Sequence, residues 1–225
     1  MNGQQFSSSG VSFTYRASAS VSSVWPSRGV SEGGTPVTVL GSGFSSSAES
    51  LGALLCRFNT TAVAAAFVSE TAIVCNATVS DGGYASVEVS TNGREYTSSG
   101  VHFEVVSVLV SDVQPWSGPA LGGTVVTISG AELSHVDALV CSFGLGSSSV
   151  SASADGSGGV RCVSPSSRRS GWSSVVLWSH GTSVRSGSSF YVHATLWVSA
   201  AYPLAGPVAG GTRVSVHGST FREAA

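Results

Sequence analysis

The sequence contains no lysine. Its ten basic residues are all arginine and face twelve aspartates and glutamates, for a formal net charge of −2. Such a chain has no basic field with which to attract nucleic acid or an anionic membrane, and the lone doublet Arg168-Arg169 does not create one. Long apolar runs are missing too. AVAAAFV, from Ala62 to Val68, falls well short of the roughly 18 to 20 residues that span a bilayer, so direct membrane insertion of this segment is not expected. The opening MNGQQFSSSG lacks the charged and apolar regions of a signal peptide.

The signatures of catalysis are also scarce. No GxSxG stands between a strand and a helix pattern, and no GxxxxGK[ST] can form without lysine. The glycine-rich pieces GLGSSS at Gly144 and DGSGG at Asp155 read as loops between strands. His102, His135, His180, His193 and His217 are scattered, and Asp81, Asp112, Asp137 and Asp155 fall in different loops, so neither a general acid/base pair nor a calcium cage is indicated. No CxxC occurs and no histidine lies near a cysteine at zinc-ligand spacing. The expectation is no enzyme, no cofactor and no metal.

What the chain does have is repetition. GVSEGGTPVTVLGSGF from Gly29 returns as GPALGGTVVTISGAEL from Gly118 and GPVAGGTRVSVHGSTF from Gly206. The threonine of each GGT lies at 35, 124 and 212, and a preceding proline lies at 26, 115 and 203, so two markers keep one period of about 88 residues. The cysteines keep it as well, Cys56 matching Cys141 and Cys75 matching Cys162. The ends of the units also match, NGREYTSSGVHFEV from Asn92 resembling NGQQFSSSGVSFTY from Asn2. This ruler places the last hairpin of a preceding repeat at 1–17, complete repeats at 18–106 and 107–193, and the first strands of a further repeat at 194–225. Both ends then cut through a repeat, and the chain is expected to be a fragment of a longer array.

Each unit follows strand logic. Val37 and Val39, Val126 and Ile128, and Val214 and Val216 alternate with polar residues at the period of a half-buried strand, and Phe44, Leu133 and Phe221 add one apolar position beyond. Val87 and Val89 precede an Asn92-Gly93 turn signal, and Val101, Phe103 and Val105 follow it, which reads as a hairpin. No helical stripe of comparable strength is present. Short strands in units of this size predict an all-β chain of tandem antiparallel sandwiches of immunoglobulin-like size.

One pair of cysteines per unit predicts bonding within the unit, Cys56 to Cys75 and Cys141 to Cys162, with four buried free thiols as the alternative. Asn59-Thr60-Thr61 and Asn76-Ala77-Thr78 are glycosylation sequons, the alternative being ordinary surface asparagines. Disulfides and sequons together point to passage through a secretory pathway. In SGWSSVVLWSH, Trp178 has the opposite parity to Val175 and Leu177 and is a candidate contact residue for a partner or a sugar; the blander reading has it cover a sheet edge or a neighbouring module.

An ordered set of features recurs: a strand ending in proline (VSSVWP, VSDVQP, VSAAYP), then GxxxGGT, an alternating strand ending in glycine, CxF, a second cysteine, and an apolar hairpin closing on an aromatic residue. In this the units resemble IPT/TIG domains, the immunoglobulin-like, E-set type modules of plexins, fibrocystin-like proteins and Rel-type transcription factors. After the second cysteine the units differ, CVSPSS against CNATVS. The resemblance implies an extracellular or cell-surface spacer and interaction module, with other proteins or neighbouring modules of the same chain as partners. DNA contact, known in the transcription-factor branch, needs phosphate-neutralising charge that is absent here. The competing expectation is a set of carbohydrate-binding accessory modules on a secreted or surface glycan-active protein.

Overall fold

The period-two segments of the sequence become strands. In this computed structural model, residues 10, 15, 17–78, 81–144, 148–184, 187–219 and 221 are described. The hairpin expected within residues 1–17 lies outside them apart from residues 10, 15 and 17. The first repeat runs through β1 (Ser20–Trp25), β2 (Arg28–Val30), β3 (Thr35–Ser42), α1 (Ser46–Ser50), β4 (Leu55–Phe58), β5 (Thr61–Ser69), β6 (Ala72–Ala77), β7 (Gly83–Ser90) and β8 (His102–Val106). The second runs through β9 (Leu109–Gln114), β10 (Ser117–Pro119), β11 (Val125–Ala131), β12 (Leu139–Phe143), β13 (Ser148–Ser151), β14 (Ser153–Ala154), β15 (Val160–Val163), β16 (Gly171–Ser179), β17 (Thr182–Val184) and β18 (Ser189–His193). The third copy of the motif holds β19 (Trp197–Tyr202) and β20 (Ser215–Ser219).

In the second repeat the strands form two sheets, β14-β15-β11-β9 and β10-β18-β16-β12-β13, with β17 paired to β16. The first repeat has the same order, but its long β5 pairs with β4 through its first residues and with β6 through its last, so one strand passes between both layers. In the second repeat that passage is broken at Ala152 into β13 and β14. One sheet edge in each repeat closes by parallel pairing, β2 on β8 and β10 on β18, where the remaining strand pairs whose register is known are antiparallel.

The alternating valines fill the cores: Val37, Val39, Val126 and Ile128 are fully buried, with Phe44 and Leu133 beside them. Each core holds an edge-to-face aromatic pair at matching places, Phe58 with Phe103 at 5.8 Å and Phe143 with Phe190 at 5.6 Å. A disulfide spans the layers of each repeat. Cys56 on β4 is joined to Cys75 on β6, and Cys141 on β12 to Cys162 on β15, with Cα atoms 6.3 Å apart in both. The third copy behaves differently: Val214, Val216 and Phe221 stay about half exposed, because its described residues supply a single pair of strands and no second layer to cover them.

The recurring GGT motif has a conformational origin. Both glycines of each pair have φ between 75° and 86° in all three copies, a region that strongly favours glycine, and the chain reverses there into the core strand. In the second repeat the reversal is tied down by Gly123 N–H donating to Ser164 O, Thr124 N–H to Ser164 Oγ, and Ser164 N–H to Thr124 O. In the first, Gly34 N–H donates to Ala77 O, so the differing residues after the second cysteine keep the same backbone contact. The glycine that ends the strand, at 41, 130 and 218, has a separate reason: a Cβ there would overlap the carbonyl oxygen of Ser20, Leu109 or Trp197 on the adjoining strand, where each pair carries a bulge.

Two local features depart from the sequence reading. The turn at Asn92 is wider than a two-residue hairpin: Asn92 Oδ1 accepts from Arg94 N–H and Glu95 N–H, and Thr97 pairs with Val89 before β8 begins. The five-residue α1 is helix where none was expected; Ser45 caps it, its Oγ accepting from Ala48 N–H at 3.3 Å.

Three variants test these features by urea denaturation. Gly130→Ala is expected to lower unfolding free energy by about 2 to 4 kcal/mol. Gly52→Ala, where φ is 65° but the space is open, is expected to cost only about 1 kcal/mol, as read by urea denaturation. Replacing Cys141 and Cys162 together by alanine removes a tie across 21 residues and is expected to cost about 3 kcal/mol in the same assay.

Candidate interaction surface

The chemistry-bearing side chains remain apart in the fold. Among the described residues no three of His, Cys, Asp or Glu gather where a metal ion could be held, and no helix is long and apolar enough to cross a membrane. Asp155 is engaged within its own turn: Oδ1 accepts from the N–H of Ser157 and of Gly159, and Oδ2 from Ser157 Oγ at 2.6 Å. The Ser157 hydroxyl, with the backbone bonds, holds its carboxyl below the ordinary carboxylate range. His180 lies in the turn between β16 and β17 with φ of 47°. Of the piece GLGSSS, residues 145–147 lie outside the described residues.

Both sequon asparagines are exposed. Asn59 sits in the tight turn from β4 to β5 with φ of 52°, and its Oδ1 accepts from Ser86 N–H at 2.8 Å. Asn76 is an outward residue of β6. A wide depression of about 890 Å³ lies on the first repeat, lined by Tyr15, Leu51, Asn92, Tyr96 and several serines. It is open and mostly hydroxyl-bearing.

The exposed aromatic residues do gather. Along β16 the side chains alternate, with Ser173, Val175, Leu177 and Ser179 inward and Trp172, Ser174, Val176 and Trp178 outward. Trp178 is 38% exposed and lies opposite Val140 of β12 and Ser183 of β17. At the other end of the strand Trp172, 62% exposed, lies opposite Tyr191 of β18, their rings 5.2 Å apart and edge to face. Trp116 stacks on Trp172 at 6.2 Å with 27° between the rings. Its backbone is tied there by Tyr191 N–H donating to Trp116 O at 2.8 Å.

Trp172 and Trp178 thus share one face, as a separation of six residues along a strand requires. Trp116 and Tyr191 were not singled out in the sequence. Tyr191 could have been found, since it alternates with buried Phe190 and Val192; Trp116 could not, because only the parallel β10-β18 pairing brings it near.

The same positions in the first repeat are built otherwise. Strand registers equate Arg28 and Glu104 with Ser117 and Tyr191, Arg57 and Glu88 with Ser142 and Val176, and Tyr84 and Ser90 with Trp172 and Trp178. There Arg28 pairs with Glu104 at 3.4 Å, and Arg57 Nε donates to Glu88 at 2.8 Å while its guanidinium lies over the Tyr96 ring. The face thus carries two ion pairs beside Tyr84 and Tyr96 in the first repeat and a cluster of indoles in the second.

Comparison with known proteins accords with this architecture. The IPT/TIG domain model matches residues 19–105 and again 109–192. Two solved structures of the plexin A4 extracellular region are similar. One has a TM-score of 0.62 at 22% identity over 89% of this chain and 18% of that chain. The other has a TM-score of 0.55 at 22% identity over 78% of this chain and 18% of that chain. At that identity the likeness shows the fold, and this chain spans less than a fifth of the plexin chains. No curated protein sequence matches it. With the family model covering most of its length in two successive copies, the chain belongs to the IPT/TIG domain family.

Proposed function

We propose that the chain is a non-enzymatic segment of a secreted or cell-surface protein, in which tandem IPT/TIG modules act as spacer and as a scaffold for protein-protein contact or adhesion. The observation that carries this reading is a constant interior under a varied exterior. Both repeats share the disulfide, the aromatic pair and the glycine reversal, yet their matching outer faces differ in chemistry. A catalytic domain would concentrate its distinctive groups in one concave site, whereas a scaffold varies its surface from module to module.

Two cross-layer disulfides and two exposed sequons support passage through an oxidising compartment. The repeat boundaries at 18–106 and 107–193 belong to the same reading. So does a further repeat beginning at 194, where Gly210 and Gly211 reproduce the left-handed pair and Tyr202-Pro203 is cis as in the earlier copies. The partners are other proteins or adjoining modules of the same chain.

Expression through a eukaryotic secretory pathway tests the proposal. The secreted chain is expected to show no free thiol by alkylation and mass spectrometry, and a gel shift on enzymatic deglycosylation that Asn59→Gln and Asn76→Gln each reduce by one step. Four alkylatable cysteines in protein taken from its natural compartment would overturn the extracellular assignment.

A further inference from the structure

We propose that the outer face of the second repeat, from the Trp116-Trp172-Tyr191 cluster to Trp178, binds a neutral polysaccharide chain laid along β16. This activity is separate from the spacer role and does not depend on it. The fold itself does not ask for these rings. The positions of Trp116, Trp178 and Tyr191 hold Ser27, Ser90 and Glu104 in the first repeat, and that of Trp172 holds a single ring, Tyr84, so the clustered indoles, exposed at 54%, 62% and 38%, are an addition to the scaffold. Exposed aromatic groups of this size, clustered on one face, mark a contact surface.

The chemistry of the face selects the ligand. Outward residues on β12, β13, β16 and β17 between the aromatic ends include no ionisable group: besides Val140 and Val176 they are serines, among them Ser142, Ser149, Ser174 and Ser183. Arg168 and Arg169 precede the strand, and His193 ends β18 beyond the paired rings. A polyanion would meet no cation within the face, so a neutral ligand fits it.

A pyranose ring presents C–H groups on its flat sides and hydroxyls around its edge. The flat sides lie on aromatic rings, and serine hydroxyls both donate to and accept from the edge. Protein-protein contact surfaces share the enrichment in Trp and Tyr but are also rich in Arg and Met and depleted of Ser, so it is the serines between the rings, with no Arg or Met among them, that favour a sugar. The aromatic ends are six residues apart on one strand, about 20 Å at the usual strand rise. That length suits several linked sugars rather than one.

The test is affinity electrophoresis of the whole chain through native gels containing hydroxyethyl cellulose, laminarin, xylan or galactomannan, with heparin as the polyanion. Retardation by at least one neutral polymer is expected. Its apparent dissociation constant should rise about tenfold or more in Trp172→Ala and in Trp178→Ala, the size typical of a central aromatic contact. Trp172→Phe should retain most of the binding, and Tyr84→Ala, the matching site in the first repeat, should leave it unchanged.

Thermal unfolding confirms that each variant is folded. Should an alanine variant not fold, polymer protection of wild-type tryptophan fluorescence from iodide quenching gives the same answer. The proposal is overturned by retardation in heparin alone, by no retardation or protection with any neutral polymer, or by retardation that both alanine variants keep. Self-association in sedimentation that Trp172→Ala abolishes, without polymer binding, would assign the face to protein contact instead. None of these outcomes bears on the disulfide and sequon experiment.

Discussion

The covalent tie between the two sheets of each repeat is the constraint around which the rest is arranged. Cys56 and Cys75, and Cys141 and Cys162, are at most 1% exposed and belong to opposite layers. A repeat of about 88 residues has limited core volume, and closing roughly 20 residues contributes about 3 kcal/mol, a large share of the usual stability of a domain this size. Once the layers are tied there, neighbouring positions are fixed in kind. Phe58 and Phe143 stand two residues after the first cysteine and meet Phe103 and Phe190 across the core. Leu54 and Leu139 precede it on the same inward parity.

The glycines serve that arrangement from outside the core. The first strand of each repeat must come close to the third for the bulged pairing to form, and Gly41 and Gly130 clear the space for its carbonyl oxygen. The left-handed pair turns the chain so that Val37 and Val39, or Val126 and Ile128, enter with their apolar sides inward. Here sequence and local structure are linked by sterics more than by attraction. The motif is kept through three copies, even in the third, whose valines are half exposed.

The core was legible in the sequence because a period of two and a period of about 88 residues are both written in one dimension. Val37, Val39 and the cysteines could be placed by counting. The cluster of Trp116, Trp172 and Tyr191 could not, since it depends on a parallel pairing between residues more than 70 positions apart. Parity alone placed Trp178 on the outer face; its sharing that face with Trp172 follows from the same alternation in β16. The wider turn at Asn92 escaped because its side chain takes two backbone N–H groups and makes a local alternative to the hairpin that Asn-Gly signals. The short helix α1 was hidden for a related reason: five residues carry too little periodicity to register, and one capping serine is enough to start it.

Magnitudes explain why the outer face is free to differ between repeats. A half-exposed ion pair such as Arg28-Glu104 contributes about 0 to 1 kcal/mol, and an aromatic pair such as Trp116-Trp172 about 0.5 to 1.5 kcal/mol beyond its buried area. Exchanging one for the other shifts stability by less than the loss of a single core disulfide. Changes at Glu88 or Val176, or at Tyr84 or Trp172, can therefore alter what the module touches without disturbing how it folds. The inward partners on the same strands have no such freedom, because a cavity or an overlap there costs several kcal/mol. The alternation of a strand thus separates two tasks residue by residue: inward positions hold the sheets together, and outward positions distinguish one module from the next.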